Sequence, residues 1–276
     1  MRDNIILTLF DRQPVQLMNT LLWLTRNDLT DTQLVIVNDG STQDLSWVKT
    51  YLGDVPYVWH DMEPYEAYRI GQHNNPAKAN NEALKLCTGE RVFWLSSDCI
   101  LPPHALERAR KIVDSGAIYV PRVQDIAGYE KLMYEFNGPT RFHPMMWFVG
   151  CRLEDCLAIG GFDEEFIKGM AYEDNDFMGR LALQVGKLVF DFDTTVIHQS
   201  HPIVYLSDED QLGTKTSREY CKRKWRGIPF ASERATMNIK RKIHDSGHAM
   251  WVCTPLDAAD GGQPIPLGSL IGAGVS

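Results

Sequence analysis

No apolar stretch in these 276 residues approaches the length of about 18 that a membrane-crossing helix takes. The opening segment, Met1 to Phe10, sets Arg2 and Asp3 beside a short apolar run, too brief for the apolar core of a signal peptide. A soluble, cytoplasmic protein is therefore expected. Cysteine is scarce: Cys87, Cys99, Cys151, Cys156, Cys221 and Cys253 show neither CxxC spacing nor the density of a secreted disulfide scaffold, and are read as reduced thiols. No internal repeat is visible. What is present in quantity is hydrophobic residue, at 44%, enough to bury a sizeable core and to set whole-chain disorder aside.

Net charge is −8, yet Thr214 to His244 holds ten Lys and Arg against two Asp and Glu. Such a segment, centred on residues 215–242, can close over a pyrophosphate as a lid, touch an anionic acceptor or lie on an acidic membrane surface; it can equally be a solvated face paired with the acidic body.

Short apolar runs alternate with helical patterns. Asn4 to Phe10, Leu34 to Val37, Tyr57 to Trp59, Arg91 to Leu95 and Ala117 to Pro121 read as strands. Val15 to Thr25, Ala77 to Leu86 and His104 to Asp114 read as helices between them. Further on, Met145 to Cys151 and Leu188 to Phe192 suit strands, and Leu153 to Ile159 and Asp174 to Val185 suit helices ended by Gly160 and Gly186. The alternation predicts a mostly parallel sheet flanked by helices. Beyond about His244 the pattern fades into Gly- and Pro-rich sequence, read as a loosely ordered tail.

In such sheets ligands gather outside the carboxyl ends of the strands, where Thr8 to Asp11, Asn38 to Ser41 and Ser96 to Cys99 fall together. Asp39, ahead of Gly40 and Ser41, can accept from the ring N–H of a nucleobase or can cap its own loop as an Asx turn. Asp98 can hold a hard divalent cation against a diphosphate, or can cap the helix after Pro102-Pro103. Glu173 and Asp174 open an apolar helix, whose dipole favours their ionised forms; an ionised Asp there can act as a base or merely complement the dipole. His198, with His201 as the alternative, can add an imidazole to a metal site. Trp147 can stack on a sugar or belong to the core.

The ordered set Asn38-Asp39-Gly40-Ser41, Asn75 to Asn81, Ser96-Ser97-Asp98, Gly160-Gly161-Phe162-Asp163-Glu164, Tyr172 to Asp176 and a trailing His resembles the inverting, family-2-like glycosyltransferases of the GT-A fold, over roughly Asn4 to His201. The resemblance implies a GT-A domain over 1–205, with a nucleotide-binding half of about 1–115 and an acceptor half of about 116–205. A basic extension with a flexible tail would fill 206–276. It implies a nucleotide-sugar donor, UDP-linked, and a glycan or other hydroxyl-bearing acceptor. By similarity to the β-1,4-galactosyltransferase and polypeptide GalNAc-transferase types, Asp174 is the base and Glu173 orients the acceptor. Asp98 and His198 would bind Mn2+ or Mg2+, and Thr8, Phe10, Arg12, Asp39, Arg69, Lys78 and Ser97 would face the donor. Gly160, Gly161, Phe162 and Trp147 would shape the acceptor site. One departure stands out: Ser96 occupies the first position of the family's DxD, leaving Asp98 alone. That departure motivates a second reading, a nucleotide-sugar or glycan-binding protein without turnover. A sugar-phosphate nucleotidyltransferase is a third, disfavoured because Leu9 to Pro14 is not a Gly-rich basic loop.

Overall fold

Both faces of the central sheet are covered, which is why its strands read as unbroken apolar runs. In the first strand Ile5, Leu7 and Leu9 belong to one buried cluster and Ile6 to the other; Leu34 and Ile36 oppose Val35 and Val37 in the same way in the second. The computed structural model describes residues 2–11, 14–70, 73–127, 131–137, 146–200, 208–225, 237–243 and 249–255. Arg12 and His201, both named as candidates above, lie outside them.

The chain runs β1 (Asp3–Leu9), α1 (Pro14–Leu24), β2 (Thr32–Asn38), α2 (Val48–Leu52), β3 (Tyr57–Asp61), the two-residue strands β4 (Arg69–Ile70) and β5 (His73–Asn74), then α3 (Ala77–Leu86) and β6 (Arg91–Leu95). It continues through β7 (Cys99–Ile100), α4 (Ala105–Asp114), β8 (Ile118–Ala127), β9 (Lys131–Asn137), β10 (Phe148–Arg152), α5 (Leu153–Ala158) and a 3-10 turn at Glu164–Lys168. After these come α6 (Glu173–Val185), β11 (Leu188–Gln199), α7 (Asp208–Lys224), β12 (Met237–Ile243) and β13 (Ala249–Pro255).

The main sheet has the order β12-β13-β11-β8-β10-β6-β1-β2-β3, with β7 and β9 attached to β11 and β8. Strands β6, β1, β2 and β3 are parallel, so their carboxyl ends share one edge. The second half departs from a mostly parallel sheet: β10 lies antiparallel between β6 and β8, and β13 pairs antiparallel with β11. The strand expected over Leu188 to Phe192 runs on to Gln199, with a register shift between Asp191 and Thr195. The tail expected beyond His244 includes β13, which joins the sheet through Leu188 and Val189.

Aromatic packing seats α6 behind β6: Phe177 stacks on Phe162 at 4.0 Å, and Trp94 of β6 meets both edgewise. Phe162 is 3% exposed, so it is a core residue and not the floor of an acceptor site expected from its place in the sequence. No helix among the described residues is long and apolar enough to cross a membrane.

Candidate active site

Three carboxylate centres stand along one side of the sheet. The first is Asp39, directly after β2. The side chain that caps its loop is that of Asn38, whose Oδ1 accepts from Ser41 N at 3.0 Å, leaving the Asp39 carboxylate to other partners. Tyr65 Oη donates to it at 2.7 Å, Arg69 Nη2 lies 3.4 Å away, and Asn74 Nδ2 also donates to it. Burial pushes this carboxyl up, against the opposing pull of those donors and of Lys78. The Arg69 guanidinium lies between the rings of Phe10 and Tyr65, 5.0 and 4.9 Å from their centroids, and Lys78 Nζ sits 4.2 Å from the Tyr65 centroid. Gly40 permits this approach: at φ +78°, a Cβ there would stand 3.0 Å from Arg69 Nη1. Four of the expected donor-side residues, Phe10, Asp39, Arg69 and Lys78, are therefore gathered. Thr8 lies half-buried on β1 opposite Val37, while Ser97 is buried and holds α1 through its carbonyl, which accepts from Thr20 Oγ1 at 3.0 Å.

The second centre is Asp98, at the end of β6. Ser96 Oγ donates to its Oδ1 at 2.6 Å, so the residue in place of the first family acid supports the second. Its Oδ2 faces His198 Nε2 at 3.6 Å. β11 brings His198 opposite Cys99 of β7 and opposite Asp125 of β8, whose Oδ1 is 3.0 Å from His198 Nδ1. A proton on Nδ1 directed at Asp125 leaves Nε2 as the nitrogen facing Asp98, the carboxylate–imidazole arrangement that orients a metal-binding histidine. Burial lowers the imidazole's affinity for a proton, but Asp98 and Asp125 outweigh it and the net shift is upward. Trp147 lies with its ring 4.4 Å from that of His198, so it walls this corner. Asp98 caps no helix, since α4 begins seven residues later with His104 at its N-cap.

The third centre is the pair Glu173 and Asp174 in the first turn of α6, each 8% exposed. Two consecutive non-glycine residues with left-handed backbone, Ala171 (φ 61°) and Tyr172 (φ 71°), lead into it. Such residues cost about 1–3 kcal/mol each and persist where the surroundings over-determine them. Burial raises Asp174 to about 6, opposed by its own backbone N–H and that of Asn175 at the helix terminus. Burial and the Asp174 charge raise Glu173 to about 8. Both carboxyls are thus pushed up by burial, Glu173 also by the charge of its neighbour, so the pair resists carrying two negative charges.

The approach to helix α3 joins the first and third centres. Before it, Asn74 bonds Asp39 and Asn75 Nδ2 donates to Glu173 Oε2 at 2.7 Å; within it, Asn81 accepts from Phe162 N at 2.7 Å and donates to Phe162 O at 2.9 Å. Gly161, at φ 71°, leaves room for Asn81, while Gly160 closes α5 through Leu157 O. Both glycines shape a turn held by α3. Sequence reasoning took Lys78 from this stretch and passed over Asn74, Asn75 and Asn81, whose regular placement around Pro76 was the available signal. Asp125, Tyr65 and Asp176 carried no signal of their own, because their partners lie far away in sequence.

Helix α7 lies over the start of α6. Arg218 Nε donates to Tyr172 Oη at 2.9 Å, and Lys224 reaches Asp163 at 2.5 Å and Asp176 at 2.9 Å. Lys215, Arg218, Lys222 and Arg223 remain exposed, while the segment between α7 and β12 lies outside the described residues.

A sequence profile described as glycosyl transferase family 2 matches residues 5–148, more than half of the chain. No curated protein matches in sequence. Among solved structures, S. aureus TarS 1-349 in complex with UDP-GlcNAc superposes with a TM-score of 0.60 at 16% identity, over 82% of this chain and 73% of that one. The longer S. aureus TarS structure gives 0.58 at 16% identity over 82% of this chain, which spans 44% of its length. The mannosyltransferase PcManGT from Pyrobaculum calidifontis, in complex with GDP-Man and Mn2+, gives 0.56 at 18% identity, over 80% and 64% of the two chains. At these identities the likeness is one of fold.

Proposed function

The chain belongs to glycosyl transferase family 2, and from that membership and this geometry we propose that it moves a sugar from a UDP-linked donor to an acceptor hydroxyl with inversion. The observation that carries the reading is the Glu173–Asp174 pair, buried in the first turn of α6, where Asn175 N donates to Asp174 Oδ1 at 2.7 Å and so favours its ionised form. Asp174 takes the acceptor proton as the oxygen attacks the anomeric carbon, and Glu173 orients the acceptor. On the donor side Asp39 meets the base, and Arg69 and Lys78 supply positive charge for the diphosphate. Because Tyr65, Arg69 and Asn74 already occupy Asp39, base binding exchanges at least one of these bonds.

The residues at the second centre fit a divalent cation: Asp98 Oδ2 and His198 Nε2 converge, and Asp125 holds the far imidazole nitrogen. Asp98 and His198 would hold Mn2+ or Mg2+, both of which accept few protein ligands when a diphosphate and water complete the shell. When bound, the cation offsets charge developing on the leaving diphosphate. Trp147 excludes water from this corner. The exposed cations of α7 beside Tyr172 suit an anionic acceptor or surface.

The test is release of nucleoside diphosphate from UDP-, GDP-, ADP- and dTDP-sugars with Mn2+, Mg2+ or EDTA. Metal-dependent release from one donor, lost in Asp174→Asn while nucleotide binding persists, is expected. Binding without release from any donor would instead support the reading as a nucleotide-sugar-binding protein, which Ser96 motivates.

A further inference from the structure

Asn75 is fully buried between two elements and uses its whole amide. Its Oδ1 accepts from Ala77 N at 3.1 Å, which starts α3. Its Nδ2 donates to Glu173 Oε2 at 2.7 Å and to Ala171 O at 3.3 Å. One side chain thus grips both the left-handed turn at Ala171 and Tyr172 and the acid beside the proposed base. The residue before it, Asn74, donates to Asp39. Adjacent residues therefore serve the donor end and the acceptor end of the site.

We propose that Asn75 is a positioning residue for the Glu173–Asp174 pair, holding one Glu173 oxygen and the turn ahead of it so that Asp174 faces the acceptor. This rests on the reading of Asp174 as base. The helix cap alone does not account for the arrangement, because capping uses only Oδ1; the two bonds from Nδ2 point away from α3, into α6 and its approach. The groups around the pair are each other's carboxylates, Cys221 of α7, and one turn along Asp176 with Lys224. Nδ2 of Asn75 is the side-chain hydrogen bond that favours ionised Glu173.

Two substitutions separate capping from positioning. In Asn75→Ser the hydroxyl can still accept from Ala77 N but is too short to reach Glu173. Asn75→Asp keeps the outline and the cap while removing the donor. Titration of carboxyl carbons in 13C-labelled protein requires no substrate: the Glu173 transition is expected to move up by at least about half a pH unit in both variants. Nucleoside diphosphate release from the donor panel above is expected to fall about tenfold in kcat with donor KM unchanged. An unchanged Glu173 titration with wild-type turnover in both variants would overturn the inference, as would a loss that appears only as unfolding. Asp174→Asn is the control for the underlying reading: wild-type turnover there sinks the base assignment itself, whereas an inactive Asp174→Asn beside wild-type Asn75 variants sinks only the role of Asn75.

Discussion

Trp225 Nε1 donates to Asp176 Oδ1 across 2.8 Å, so the end of the basic helix is bonded to the helix that begins with Glu173 and Asp174. Asp176 is fully buried, and Arg180 and Lys224 complete its shell at 2.8 and 2.9 Å. Helix α7 is therefore not only a solvated face: its C-terminal end is part of the fold. Asp176→Ala strands buried donors and is expected to cost about 3–5 kcal/mol, against about 1–2 kcal/mol for Trp225→Phe, which removes one neutral donor. Urea unfolding of both variants checks the order; equal, small losses would mean that α7 contributes little here.

Stability should depend on pH through the acidic pair. Glu173 and Asp174 both titrate above their unfolded values, so between about pH 4 and 8 the folded chain binds more protons than the unfolded one, and stability falls as pH rises through that window. Glu173→Gln should accordingly raise Tm by a few degrees at pH 8, with the gain shrinking to nothing near pH 4. Thermal melts across this range test it, and a gain that is independent of pH would contradict the assignment.

Gly161→Ala should destabilise the turn beside α6. Its Cβ would stand 2.5 Å from Asn81 Oδ1, and the left-handed backbone adds strain. Loss of the paired bonds between Asn81 and Phe162 accompanies the clash, for an expected cost of about 1–3 kcal/mol. Gly160→Ala carries the strain without the clash, so calorimetry of the two variants should rank Gly161→Ala as the worse.

Asp125→Asn should weaken Mn2+ binding, read from the electron paramagnetic resonance of free Mn2+. The substitution removes the negative charge beside His198 Nδ1 while leaving an amide oxygen that can still accept from it, so the imidazole becomes a less basic ligand; an effect of about 10–100-fold is usual for such outer-shell changes. Binding unchanged in Asp125→Asn but abolished in Asp98→Ala would confine the site to Asp98 and His198 alone.

Much of this was legible along the chain because it is set by neighbours in sequence. β6 spans Arg91–Leu95 as the apolar run predicts, α3 ends at Leu86, and Gly186 closes α6 in a left-handed C-cap. The acids that follow β2 and β6, and those that open α6, were also readable, since strand ends and helix starts have local signatures. Which partners those acids take was not readable, because it depends on contacts between segments dozens of residues apart. Asp39 is claimed by Tyr65 and Asn74, His198 by Asp125, and Asp176 by Trp225. Phe162 shows the same limit from the other side: the resemblance had it shaping an acceptor site, and only the packing of α6 on β6 placed the ring in the core. Local pattern therefore determined the strands, the helices and the positions of the acids, while burial and long-range hydrogen bonding decided which acids are pushed up in pKa, which is oriented by an asparagine and which holds the fold together.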